Sequence, residues 1–177
     1  MDTANYVVFD SPLGAIWLAA TERGICALGF GESAGRLAGH LTRHNIATPE
    51  PGETPVLREA VSQLKAYFEE GLQTFDVPLD LRGTPFQKAV WEELRHIGYG
   101  ETLTYGQVAL EVERPNGAQA VGRAVGANPV SLIVPCHRVV GQDGDLTGYA
   151  YGVGRKGALL ELEQHGRQLQ IGVGSKE

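Results

Sequence analysis

Residues 104–140, TYGQVALEVERPNGAQAVGRAVGANPVSLIVPCHRVV, hold two helix patterns, a tight turn, an apolar run and a Cys-His-Arg triplet. Thr104 with Gln107 three residues on is a capping box, which opens a helix through about Glu111. Arg114-Pro115-Asn116 then turns the chain, and Asn116 is placed to cap a further helix, Gly117 to Ala127. Two short helices joined in this way read as a helix-turn-helix. Asn128-Pro129 ends the second helix, because the residue before a proline is pushed out of the helical region. Val130–Val134 reads as a buried strand that delivers Cys136, His137 and Arg138 to the end of an element.

The second of these helices is poor in bulk. Gly117, Gly122 and Gly126 each cost roughly 1 kcal/mol relative to alanine in a helix interior. Tight packing against a neighbouring helix would account for them, and so would a surface that fits into a nucleic-acid groove.

Upstream, Thr84-Pro85 with Gln87 is another capping box, followed by Phe86, Val90, Trp91, Leu94 and Ile97 at helical spacing and Gly98 as a stop. Asp76–Gly83 (DVPLDLRG) breaks the pattern and reads as a linker, 76–83, after an N-terminal domain at 1–75. Within that domain Tyr6–Phe9, Ala15–Ala20 and Gly24–Phe30 are β-rich runs separated by turn signals, an antiparallel meander. Helices follow at Gly35–Arg43 and Pro55–Glu70, the latter stopped by Gly71. Downstream of the triplet, GQDGD is a turn. A last helix covers about Arg155–His165, with Ala158, Leu159 and Leu162 inward and Gly166 as its cap. The second domain is therefore 84–166, and 167–177 reads as a frayed tail.

The 177 residues have a net charge of -6 at pH 7, and 42% are apolar, enough for a packed core. The acidic excess lies in residues 1–81, with 5 Lys and Arg against 11 Asp and Glu, while the remainder is balanced. Acidity counts against nucleic-acid binding, which draws on Lys and Arg, but the balanced half leaves room for a local basic surface. Neither a signal peptide nor an apolar run of roughly 18 residues is present, so the expectation is a cytoplasmic protein with no membrane partner. Cys26 and Cys136 have no metal-ligand spacing and make no disulfide framework; Cys26, inside an apolar run, reads as core. His40, His44, His96 and His165 offer no clustered metal spacing, and no metal is expected.

Cys136 beside His137 invites a nucleophile and its base. A free thiol is only a few per cent thiolate at neutral pH, and a neighbouring base or cation such as Arg138 raises that fraction. Adjacent side chains often point apart, so a bridging water is the natural carrier of the proton.

The runs GTPFQKAVWEEL, GETLTYGQVA, ANPVSLIVPCHRVV and TGYAYGVGRKGALLELE, in this order and spacing, resemble the methylated-DNA-protein-cysteine methyltransferase family, the O6-alkylguanine-DNA alkyltransferases. The likeness is strong from Gly83 to Glu163 and looser in the N-terminal meander. It implies an α/β fold: a small antiparallel sheet with helices, RNase H-like, then a mostly helical, winged-helix-like domain with a helix-turn-helix. It further implies stoichiometric, irreversible transfer of an alkyl group from guanine O6 or thymine O4 in duplex DNA to the protein's own cysteine. That reaction takes no cofactor and is carried out by a monomer after minor-groove binding and base flipping.

By the same resemblance, Cys136 is the acceptor, His137 the base acting through water, and Glu163 the carboxylate behind the histidine. Asn128 is the asparagine of the turn that links the recognition helix to the active-site strand. Tyr105 is the tyrosine that helps rotate the target nucleotide and donates to guanine N3. Gln119, Arg123, Val139, Tyr149, Ala150 and Tyr151 fall at substrate- and DNA-binding positions. Taken alone, Glu163 would read as a solvated helix residue and Tyr105 as packing. A flipped base accords with the chemistry, since O6 of a stacked guanine is out of a buried sulfur's reach.

Two positions depart from the family. Gln119 replaces the usual arginine that enters the base stack, giving a finger without charge or guanidinium plane, with Arg123 one turn on to grip phosphate. Tyr151 stands where many relatives have a pocket-wall glycine and should narrow the site. Two other functions use the same residues: an alkyltransferase-like protein that binds alkylguanine without repairing it, and a cysteine hydrolase built on Cys136, His137 and Glu163. Relatives of the former type replace the cysteine, and the latter needs an oxyanion hole.

Overall fold

The structure is a computed structural model that describes residues 1–176, with side chains through Gly166. The tail expected over 167–177 lies outside the residues whose side chains are described. The chain forms two compact units, Met1–Thr84 with Pro129–Ile133, and Pro85–Asn128 with Val134–Glu177.

The first unit is built on a four-stranded sheet in the order β3-β2-β1-β4. Strands β1 (Asn5–Ser11), β2 (Gly14–Thr21) and β3 (Gly24–Phe30) form the expected meander. A two-residue strand β4 (Glu50–Pro51) adds parallel to β1, so the sheet is mixed. Ser11 closes the first turn by accepting from the Leu13 amide at 3.2 Å and donating to the Gly14 carbonyl at 2.6 Å. Gly24 is required at the second: a Cβ there would lie 2.5 Å from the Pro78 carbonyl carbon. Residues 78–80 run along β3, exchanging backbone hydrogen bonds with Ile25, and Arg82 joins Asp80 to Asp2.

Every residue of β3 is buried, which is the signature of a strand covered on both faces. Helix α1 (Ala34–Arg43) sets Leu37 and Leu41 against Trp17, Ala19 and Cys26. Burial pushes the Cys26 thiol up to about 12, so it is an inert core group. Helix α2 (Pro55–Glu69) buries Leu57, Ala60, Leu64 and Tyr67, and Thr54 caps it by accepting from the Leu57 amide at 3.3 Å.

In the second unit, helices α3 (Pro85–Arg95), α4 (Tyr105–Glu111) and α5 (Ala118–Gly126) pack through Val90, Trp91, Leu94, Val108, Val121 and Ala124. The Trp91 indole donates to the Ala124 carbonyl at 2.8 Å and pins α5 to α3. The capping box of α4 forms as its sequence requires, Thr104 and Gln107 each satisfying the other's backbone amide. A two-rung parallel ladder joins β5 (Leu103–Thr104) to β6 (Val139–Val140). The last helix is α6 (Val153–Lys176).

Three local expectations are corrected. Asn116 does not cap α5: its cap position is Gly117, with no side-chain bond, because the Gly117 amide is drawn back to the Arg114 carbonyl at 2.7 Å. That tight turn needs glycine, since a Cβ would come within 2.8 Å of Arg114. Gly166 does not stop the last helix; it lies within α6, where a Cβ would meet the Tyr99 hydroxyl at 2.6 Å, so it is a close-packing residue. Val130–Val134 is buried but is no continuous strand: it makes one parallel bridge, Leu28 to Val130, and then turns.

Candidate active site

That turning segment delivers the cysteine. Ile133 donates to the Ser131 carbonyl at 2.8 Å around Leu132, whose φ is +71°, so a γ-turn places a branched side chain in the left-handed region. A second γ-turn follows, Cys136 donating to the Val134 carbonyl at 2.8 Å around Pro135, where the ring favours the required φ of -81°. Asn128, 2% exposed, donates its amide to the Val134 carbonyl at 2.8 Å and braces the second turn. Cys136, His137 and Arg138 then form one turn of 3₁₀ helix, all three buried. A 3₁₀ turn separates adjacent side chains by about 120°, so Cys136 and His137 do not face each other.

His137 and Glu163 are both fully buried, and the imidazole Nε2 lies 2.7 Å from Glu163 Oε2. Glu163 also accepts from Arg138, Nε to Oε1 at 2.8 Å and Nη2 to Oε2 at 3.0 Å, and from the Gly100 amide at 3.3 Å. Burial alone would raise this carboxyl, but its bonds and charges from His137 and Arg138 prevail and hold it down at about 2. An ionised Glu163 fixes the tautomer: Nε2 carries the hydrogen and Nδ1 presents a lone pair. Nδ1 is buried and has no protein partner. Desolvation lowers the basicity of His137 below the usual histidine value despite the carboxylate, so the ring is neutral at rest.

Arg138 was expected to favour a negative charge on the cysteine. Its guanidinium instead chelates Glu163 and donates to the Ile97 carbonyl at 2.6 Å. Glu163 is far from the solvated helix residue that its sequence alone suggests, and the inward face of α6 is Lys156, Leu159, Leu160 and Glu163, rotated from the expected Ala158, Leu159 and Leu162. The spacing 156, 159, 160, 163 is itself the helical period, so this face was readable once charged residues were admitted to it.

The β5–β6 ladder sets Tyr105, next after β5, beside the triplet that precedes β6. Tyr105 donates to the Thr147 carbonyl at 3.0 Å. Its phenol is pushed up, first by burial and then by Cys136, as is that of Tyr149, further still. Tyr105 also lines a groove of about 1010 Å³ shared with Leu110, Gln119, Gly122, Arg123 and Gly148. Gln119 and Arg123 are exposed. A Cβ on Gly122 would reach only the Tyr105 ring, at 3.9 Å, and one on Gly126 would meet nothing within 4 Å. Close helix packing therefore does not explain these glycines; Gly122 leaves the groove open.

Val139 is fully buried behind the triplet, Ala150 is exposed, and Tyr151, 8% exposed, packs edge-on against Tyr149 with centroids 5.4 Å apart. Lys156, which the sequence did not single out, is fully buried beside Tyr105. Among the described residues no group of three His, Cys, Asp or Glu could hold a metal ion, and no helix is long and apolar enough to cross a membrane.

The chain matches two family models, "6-O-methylguanine DNA methyltransferase, ribonuclease-like domain" over residues 5–81 and "6-O-methylguanine DNA methyltransferase, DNA binding domain" over residues 85–165. It is 46% identical over 160 residues to a methylated-DNA--protein-cysteine methyltransferase of Mycobacterium tuberculosis, covering 90% of this chain and 92% of that one. The like-named protein of Methanosarcina acetivorans is 44% identical over 160 residues, covering 89% and 97%. The crystal structure of the M. tuberculosis O6-methylguanine methyltransferase superposes with a TM-score of 0.78 at 46% identity, covering 92% of this chain and 93% of that one. The M. tuberculosis protein in complex with DNA gives 0.77 at 45%, covering 93% and 94%.

Proposed function

Since the chain belongs to the 6-O-methylguanine DNA methyltransferase family, we infer that its buried cysteine is the group that accepts the alkyl carbon. The protein is a methylated-DNA-protein-cysteine methyltransferase and reverses alkyl damage to DNA directly. We take the substrate to be O6-alkylguanine, or O4-alkylthymine, in duplex DNA, bound by a monomer.

In this reading the duplex lies along the groove of α4 and α5, where Gly122 and Gly126 allow close approach. Gln119 stands where the flipped nucleotide leaves the stack, and Arg123 contacts phosphate. Tyr105 meets the extruded base, and Val139, Tyr149, Ala150 and Tyr151 surround it. The thiol proton of Cys136 passes through a water to Nδ1 of His137, giving an imidazolium that Glu163 neutralises. Sulfur then attacks the alkyl carbon; the S–C bond forms as the C–O6 bond breaks. The bonding pair stays on the guanine, which takes up a proton and returns to the neutral base. Asn128 holds the turn that aims the sulfur. The protein ends as an S-alkylcysteine and cannot turn over.

The observation that carries this reading is the buried His137 ring, with Nε2 2.7 Å from Glu163 Oε2 and Nδ1 left without a protein partner. Incubation with duplex DNA containing O6-methylguanine followed by intact-mass measurement tests it. Gain of one methylene, localised to Cys136, is expected. An unchanged mass with tight binding would mean lesion sensing instead, and a methyl group on any other residue would displace Cys136 as acceptor.

A further inference from the structure

Lys156 is fully buried on α6. Taking an ammonium out of water is costly unless it is paired, yet among the described residues no carboxylate pairs with it. The ammonium donates to the Thr147 carbonyl at 2.9 Å, and Nζ lies 5.9 Å from the centre of the Tyr105 ring. That carbonyl is also the acceptor of the Tyr105 hydroxyl, at 3.0 Å. Residues 145–149 have no regular structure, so this shared oxygen needs a tether. Next to it Gly148, at a φ of +80°, brings the backbone so near that a Cβ would sit 2.6 Å from the same hydroxyl.

We propose that Lys156 is a positioning residue for Tyr105: from the rigid helix α6 it fixes both the carbonyl that holds the phenol's hydroxyl and, by a cation–π contact, the plane of its ring. The inference rests on the reading of Tyr105 as the residue that meets the extruded base. Its consequence is that a helix outside the groove sets where the phenol stands when DNA arrives. A methionine in place of Lys156 would keep the volume and lose both contacts.

The test is a double-mutant cycle. Lys156→Met, Tyr105→Phe and the double variant are compared with the parent for the second-order rate of methyl transfer from duplex O6-methylguanine, with unfolding midpoints recorded alongside. Each single variant should be slower by about tenfold or more, and the double no slower than the worse single within about twofold. Lys156→Arg, which keeps the charge and donors, should regain most of the rate. With 3-fluorotyrosine at position 105, the fluorine resonance should shift in Lys156→Met and return in Lys156→Arg.

Losses that multiply, or a Lys156→Met variant as fast as the parent while Tyr105→Phe is slow, overturn this inference alone. A Tyr105→Phe variant as fast as the parent overturns the reading of Tyr105 and this inference with it. If Lys156→Met does not fold, Lys156→Gln enters the same cycle under the same criteria.

Discussion

Leu103 stands opposite Val139 in a parallel ladder only two rungs long, and this pairing brings the start of α4 to the turn that carries the thiol. Residues separated by some thirty positions in the chain, Tyr105 and Cys136, become electrostatic neighbours. The pocket chemistry of the second unit is organised around this junction, with α6 supplying Glu163 and Lys156 from its buried face.

Arg138 should prove a stability residue before it proves a kinetic one. Arg138→Met takes both guanidinium bonds from the buried Glu163 carboxylate, and breaking a buried pair in this way costs about 3–5 kcal/mol. Urea unfolding measures it. A loss below about 1 kcal/mol, the range of an exposed pair, would show that the guanidinium does not hold the carboxylate.

The acid limb of stability should come in two stages. His40 is lowered from 6.5 to about 4, chiefly by burial, and His137 is lowered for the same reason, so both favour the folded state when neutral. Their contributions are complete above 6.5 and decline as the pH falls below it. Glu163 is held at about 2 against an ordinary 4.5, so its contribution is complete above 4.5 and is lost as the pH falls through 2. Unfolding free energies from pH 8 to 3 should therefore decline first below 6.5 and more steeply below 4.5. His40→Gln should flatten the first stage only.

Gln119→Arg should tighten binding to duplex DNA and speed repair, because the exposed side chain gains a charge and a stacking plane. One added phosphate contact would steepen the slope of log affinity against log salt by about 0.9. Anisotropy titrations at several salt concentrations read this directly. Equal affinity and slope in the two proteins would show that the finger position is not engaged.

Tyr151 should make the site selective for small adducts. The parent is expected to react well with methyl groups and poorly with O6-benzylguanine, and Tyr151→Gly should accelerate benzyl transfer by at least about tenfold, as removal of a pocket clash typically does. The edge-on contact with Tyr149 is lost, at a cost of about 0.5–1.5 kcal/mol. Rapid benzyl transfer by the parent would refute the assignment of Tyr151 to the pocket wall.

Local signals carried much of the architecture. The meander announced itself by turn residues, α4 by its capping box, and α2 by apolar period and Pro55, because each depends on neighbours within a few positions. Non-local partners were invisible. The guanidinium of Arg138 turns to a carboxylate 25 residues away, and Lys156 finds a carbonyl across a loop, neither of which spacing along the chain expresses. Two-residue strands such as β5 and β6 are too short to have a period. The run Val130–Val134 misled for another reason: β-branched residues fit a buried γ-turn pair as well as a strand when hydrogen bonds from Asn128 and Leu28 supply what a ladder would.

The return of Pro129–Ile133 to the first unit has a consequence for the order in which the protein is made. Leu28 donates to the Pro129 carbonyl at 2.8 Å and accepts from the Ser131 amide at 2.9 Å, so this stretch of β3 finds its partner only after more than a hundred further residues have been joined. On the ribosome, where domains ordinarily fold in the order they emerge, the sheet must wait with Leu28 unpaired until the helix-turn-helix has already been synthesised. The first unit is therefore complete only when the chain has grown to Ile133, with Val134 and Cys136 of the second unit the next to be joined.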